Sequence, residues 1–309
     1  MFVYFLAFLK NVIYGLTVFF TGSLVSSTSV TDVLALRFLM SAVVMYFLKV
    51  IKIIKIDISI RDFFVKNERS EYIKPLICMA IFEPILYMFF ETIGVSMTTG
   101  VTAGVILSLS PISSCIAEEV ILKEKSSMLQ KVLLGLGIVG ATYIVVNTNS
   151  TDGRNTVIGM LCLVLAAVTG SLYSVFTRKC ASAFNAMERT YIACVLGAVV
   201  FNAINIVRHV SAGDLRNYFN PYFDWNNMLG FFMLAVVSTI VATGMQNYAM
   251  GKMQVSTMAA FGGVSTMVTI AVGVFIGGEK LQGFHAIGLS LIVLRMIGVS
   301  YLAIRKNKR

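Results

Sequence analysis

Apolar runs of bilayer-crossing length alternate with short polar connections along the whole chain. About 20 apolar residues are needed to cross the hydrocarbon core. By that measure ten segments qualify: 2–24, 32–54, 74–93, 100–122, 128–147, 156–179, 188–207, 228–250, 253–277 and 281–304. The longest connections are "KVIKIIKIDISIRDFFVKNERSEYIK", whose first residues still belong to the second span, and "RHVSAGDLRNYFNPYFDWNN". The latter holds the single tryptophan, Trp225, with Tyr218, Tyr222 and Phe223, which suits a membrane–water interface. The first run begins at the second residue with no basic leader or cleavage site, and it reads as a retained span.

Composition agrees with that pattern. Of 309 residues, 57% are hydrophobic and 13% charged, and the mean hydropathy is +0.83. Soluble domains need roughly 25% charged residues, so the chain is expected to be an all-α polytopic membrane protein. The net charge of +10 sits mainly in the connections, where it sets topology rather than attracting nucleic acid. With the N-terminus inside, 18 Lys and Arg fall on the cytoplasmic side and four outside, while Lys10, Arg37 and Arg295 lie within spans. The positive-inside rule then places both termini in the cytoplasm of a cell with a multi-pass protein in its plasma (inner) membrane. The five cysteines lie in or at the ends of apolar runs without metal-like spacing. The two histidines, His209 and His285, fall near helix ends. No metal and no cofactor are expected.

The halves echo one another. "ETIGVSMTTGVTAGVILSLSP…LKEK" (91–125) and "NYAMGKMQVSTMAAFGGVSTM…GGEK" (247–280) each run through a tight turn into a Gly/Ser/Thr-rich span. Each ends at a Glu-Lys pair, Glu124-Lys125 and Glu279-Lys280. Five helices per half force the copies into opposite orientation, the inverted-repeat plan of many secondary transporters. The expected division is 1–148 and 149–309, two five-helix repeats around a central cavity.

"TDVLALRFLMSAVVMYFL", "GVSMTTGVTAGVILSLSPISSCIAEEVILKEK" and "GGEK…IGLSLIVLRMIGVSYL" resemble the EamA family of the drug/metabolite transporter superfamily. In that family each repeat has an Arg early in its second span, a small-residue turn, a Pro in its fourth helix and a Gly-Glu-like pair before its last. The similarity covers nearly the whole chain, through individually loose motifs. Departures are Lys123 where Gly is usual, Val268 where a counterpart of Pro111 would stand, and Tyr14-Gly15 in place of Trp-Gly. The resemblance implies ten helices, a central cavity and substrates such as amino acids, amines, drugs or nucleotide-linked sugars. Many relatives export.

Charges inside the membrane are costly and should face the bundle interior with a partner. At about 1.5 Å per residue, Glu83 lies near the midplane, level with Lys10. Glu91 and Arg37 lie together nearer the outer face, and Glu118 and Glu119 lie near the inner edge with Arg295 somewhat deeper. Equal height makes three candidate pairings: Lys10 with Glu83, Arg37 with Glu91, and Glu118/Glu119 with Arg295. Arg37 can snorkel outward, so it is assigned with Glu118, Glu119 and Arg295 to structural charge pairing. Glu124 and Glu279 also read as structural. Glu83 is too deep to snorkel, and Pro84 after it should kink the helix.

Polar stripes recur at helical spacing: Lys10, Tyr14, Thr17, Thr21; Glu83, Tyr87, Glu91; Thr169, Tyr173, Thr177; and Thr239, Thr243, Asn247 beside Gln246. Interhelix hydrogen bonding can account for such stripes. Their convergence on one deep carboxylate points instead to a polar cavity. The candidates for substrate or proton binding are therefore Glu83, Lys10, Tyr14, Tyr87, Glu91, Tyr173, Thr243, Gln246 and Asn247.

The expected function is a secondary active transporter, an exporter of small polar or amphipathic metabolites by alternating access, with Glu83 coupling to protons opposite Lys10. No GxxxxGK loop encodes an ATP-driven pump. A translocase of lipid-linked or nucleotide-linked sugar is the alternative and would need a laterally open groove. A membrane-embedded enzyme lacks its usual His, Asp or Cys cluster, and a scaffold leaves the midplane charges unexplained. The expected partners are a small-molecule substrate, protons and the bilayer, with the oligomeric state undetermined.

Overall fold

The computed structural model describes residues 2–58, 68–107, 109–123, 127–148, 156–253, 255, 258, 261–276, 278 and 283–306. The Glu124-Lys125 and Glu279-Lys280 pairs lie outside the described residues. Among those described there is no strand, and seven helices are long and apolar enough to cross a membrane. These are α1 (Phe2–Ser27), α2 (Val30–Val50), α3 (Ser70–Ser96), α4 (Thr102–Leu122), α6 (Val157–Lys179), α7 (Ala186–Ala212) and α8 (Asn227–Met250). Three further helices are α5 (Met128–Thr148), α9 (Gly262–Phe275) and α10 (Gly283–Lys306).

Helix ends follow local chemistry. Ser29 caps α2 by accepting from Asp32 N, and Thr156 caps α6 by accepting from Gly159 N. Asn185 and Glu188 form a reciprocal capping box at the start of α7. Gly213 closes α7 in the left-handed region at φ +71°, where glycine has no Cβ to clash. Lys123 closes α4 in the same region at φ +58°, ψ +22°. Gly is usual there in the family that the sequence resembles, so the departure leaves a non-glycine residue in glycine's conformation.

Packing sets up a polar centre. α2 lies along α7, α5 along α10, α3 along α6, α1 against α8 and α9, and α4 against α6 and α9. At Gly15 an added Cβ would lie 2.6 Å from Val268 Cβ, so α1 and α9 touch backbone to side chain. The small residues of the last helix pack within the chain: a Cβ on Gly140 would meet the Gly288 carbonyl, and one on Gly298 would meet Leu133. Large apolar side chains such as Phe2, Phe47, Val199 and Val207 stand exposed on the outer faces, as lipid contact requires.

Candidate functional site

Two helices depart from regular geometry where they meet the centre. In α3, Glu83 has extended backbone (φ −143°, ψ 121°), and Pro84 lacks the N–H that a continuing helix would donate. The kink expected at Pro84 thus falls at Glu83. In α8, residues Met233–Ala242 widen into π-type turns, with Thr239 and Thr243 hydroxyls donating five residues back to the Leu234 and Ser238 carbonyls. Such widened turns frequently mark functional sites, and here they bring Ser238, Thr239 and Thr243 into the interior.

A cavity of about 130 Å³ lies between α1, α2, α3, α4, α6, α8 and α9. Lys10, Tyr14, Arg37, Glu83, Tyr87, Glu91 and Gln246 all line it. Lys10 donates from Nζ to Gln246 Oε1 at 3.0 Å and sits 4.8 Å from the Tyr14 ring centre. Tyr14 shares a hydrogen bond with Thr243 at 3.0 Å. Tyr87 donates to Glu91 Oε1 at 3.2 Å, while the buried Glu91 Oε2 has no hydrogen-bond partner among the described residues. Glu83 is 6% exposed and makes no direct hydrogen bond or ion pair among the described residues. Lys10 and Arg37 both stand within Coulombic range of it. Behind it a void of about 10 Å³ is lined by Pro84, Tyr173 and Thr243 as well as Glu83.

Arg37 corrects an expectation. It does not snorkel: it is 1% exposed and faces the cavity. Its Nε donates to Thr239 Oγ1 at 2.8 Å and its Nη2 to Ser238 Oγ at 3.2 Å. Glu91 is its foremost opposite charge, through space rather than by direct contact. Two cations and two carboxylates thus share one small cavity. A carboxylate held this way can take up or release a proton as its surroundings change.

Other candidates separate from the cavity. Tyr173 donates to Asn247 Oδ1 at 2.6 Å, and Asn247 Nδ2 donates to Thr190 at 2.8 Å. Arg189 completes the network by donating to the Thr177 and Asn247 carbonyls at 2.9 and 2.7 Å. Tyr173 and Asn247 therefore tie α6, α7 and α8 together. Of the charges expected near the inner edge, Glu118 meets Arg178 at 3.2 Å and Glu119 meets Lys131 at 2.9 Å, while Arg295 is buried on α10. In the sequence, Arg178 and Lys131 are simply two of the 18 basic residues expected on the cytoplasmic side.

The hydroxyl wall is not foreseen from the sequence. Ser110 and Ser114 of α4, Ser171 and Ser174 of α6, and Ser265, Thr266 and Thr269 of α9 line the cavity opposite the charges. Ser171 links Ser113 and Ser114 at 2.7 and 3.1 Å. A cleft of about 460 Å³ between α1, the end of α3, residues 98–100 before α4, and α9 shares Val18 and Thr269 with the cavity. Among the described residues no His, Cys, Asp and Glu group could hold a metal ion.

Comparison with known proteins fits this geometry. Residues 1–146 and 157–301 match the EamA-like transporter family. The chain is 28% identical over 306 residues to the "Uncharacterized transporter YcxC" of Bacillus subtilis (strain 168), covering 99% of this chain and 95% of that protein. A crystal structure of a protein 16% identical superposes with a TM-score of 0.65 over 98% of this chain and 97% of the other, a likeness of fold alone.

Proposed function

Because the chain belongs to the EamA-like transporter family and is a multi-pass membrane protein, we propose that this transporter moves small polar or amphipathic metabolites outward, driven by protons. Amino acids, amines and drugs are the solute classes intended. The carrying observation is Glu83: a buried carboxylate at a helix break, facing a shared cavity, without a hydrogen bond of its own among the described residues. Protonation removes its charge when the cavity faces one side, and ionisation opposite Lys10 restores it on the other.

The proposal includes ten crossings as two inverted repeats, 1–148 and 149–309, with both termini in the cytoplasm and the protein in the plasma membrane. Exchange of the halves supports the repeat. It turns α3 against α6 into α8 against α1, and α1 against α9 into α6 against α4, while α2–α7, α4–α9 and α5–α10 map onto themselves. Each of these pairs is in contact. Lys10, Gln246, Tyr14 and Tyr87 with Glu91 form the proposed binding set, and Tyr173 and Asn247 support it. The cavity volume of about 130 Å³ favours a small solute over a lipid-linked sugar.

The test is transport in proteoliposomes with an imposed pH gradient, comparing the wild type with Glu83→Gln. Loss of the gradient's effect in the variant, with folding intact, agrees with the reading. Full gradient-dependent transport by Glu83→Gln sinks it.

A further inference from the structure

A charged cluster outside the cavity has no part in that reading. Asp32, in the first turn of α2, is buried. Its Oδ1 lies 2.8 Å from His209 Nε2 and accepts from Asn205 Nδ2 at 3.0 Å. Its Oδ2 accepts from Arg208 Nη1 at 3.1 Å and from Ser29 Oγ at 2.5 Å. On the other side of the same ring, His209 Nδ1 lies 2.8 Å from Asp214 Oδ1. The imidazole is clamped between one carboxylate from α2 and one from the connection that follows α7.

A carboxylate oxygen only accepts, and a neutral imidazole carries a single N–H. Both contacts at 2.8 Å are satisfied together only when both ring nitrogens bear protons. With one proton gone, one nitrogen faces an acceptor without a hydrogen between them. Asp32 keeps three other donors, whereas the Asp214 side chain is 39% exposed and turns to water. The Asp214 contact is therefore the one that lets go. The titratable and charged groups facing His209 are Asp32 from α2, Arg208 on α7 by way of Asp32, and Asp214 and Tyr218 from the connection. The Tyr218 ring is 5.2 Å from the imidazole.

The connection is a lid in its packing. Tyr218 and Tyr222 lie against a cluster of Leu24, Val33, Leu36, Phe231 and Leu234. Tyr218 donates to Asn202 Oδ1 at 2.6 Å, and Tyr222 donates to the Leu36 carbonyl. Leu36 immediately precedes Arg37, which lines the cavity.

We propose that Asp32, His209 and Asp214 form a proton-operated strap. A doubly protonated His209 tightens the hold on residues 213–224 over the ends of α1, α2 and α8, and loss of one proton loosens it at Asp214. The strap is tight at low pH and loosens as pH rises through the imidazole range. In the orientation proposed above it reads the outer medium. It stands independently of any coupling at Glu83.

Amide hydrogen exchange of the full chain in lipid nanodiscs tests this, from about pH 5.5 to about pH 8.5, with rates corrected for intrinsic pH dependence. Protection over 213–224 is expected to fall roughly tenfold as pH rises, the scale of one charge-assisted hydrogen bond. In Asp214→Asn the new amide donates to a neutral Nδ1, so protection should stay high at every pH. In His209→Gln one side chain cannot bridge both carboxylates, so protection should stay low. No step in the wild type, or a step surviving unchanged in Asp214→Asn, overturns the strap. A step surviving in His209→Gln overturns it too, and would assign the titration elsewhere, for instance to His285. Should His209→Gln fail to fold, Asp214→Asn alone decides.

Discussion

Lys10 donates to Gln246 across the bundle at 3.0 Å, and Glu83, the opposite charge on the same cavity, takes no part in that bond. The amide holds the ammonium and leaves the carboxylate available. Replacing Gln246 with Leu removes the acceptor, so the ammonium is expected to turn to Glu83 and fix it in a direct ion pair. Proton-driven transport should then fall about tenfold, equivalent to about 1.4 kcal/mol on the barrier, with little loss of folded protein. Initial rates at saturating substrate check this, and an unchanged rate refutes the division of labour.

Arg37 is held by geometry that only a guanidinium provides. Its fork reaches Thr239 and Ser238 together, whereas a lysine ammonium is a point charge on a flexible stem. Arg37→Lys is therefore expected to lower both the apparent melting temperature and transport. Thr239→Val removes one acceptor and should cost about 1.5–3 kcal/mol, as for other hydrogen bonds to charged groups. Thermal unfolding and transport on the same preparation separate the two effects. Wild-type behaviour in Arg37→Lys would show that charge alone suffices.

Much of this arrangement is legible in the sequence, because hydropathy and depth are one-dimensional. Apolar runs locate the helices, and counting residues from the membrane surface places Lys10 level with Glu83 and Arg37 level with Glu91. Lateral position is not encoded that way. The same count gives Tyr173 and Tyr14 equal standing, although Tyr14 lines the cavity and Tyr173 points into the Asn247–Thr190 network. Serines such as Ser114 and Ser171 look like small packing residues, since their role depends on which helices α4 and α6 face. The widened turns of α8 leave no pattern that distinguishes them from a regular helix.

Lys123 offers a stability test away from the chemistry. It holds a left-handed conformation, φ +58°, that costs a side-chain-bearing residue about 1–2 kcal/mol. Lys123→Gly should raise apparent stability by about 1 kcal/mol after the greater chain entropy of glycine is counted, with transport unchanged. A lower melting temperature would mean that the lysine side chain contributes more than its backbone costs.

Two tyrosine deletions separate the cavity from its support. Tyr14 carries its ring under the Lys10 ammonium and its hydroxyl on Thr243. Tyr14→Phe keeps the ring and removes the hydroxyl at the cavity wall, so apparent substrate affinity should weaken while the fold tolerates the change. Tyr173→Phe removes the 2.6 Å bond to Asn247 and leaves that amide oxygen buried between α6 and α8. Interhelical hydrogen bonds in membranes are worth about 0.6 kcal/mol on average and about 1.7 at most. Tyr173→Phe should therefore lower stability within that range without moving KM. Ligand titration and thermal unfolding of both variants give four numbers with a predicted crossing pattern. If Tyr173→Phe shifts KM and Tyr14→Phe does not, the Tyr173–Asn247 network rather than the Tyr14 wall governs substrate affinity, and the binding set must be redrawn around it.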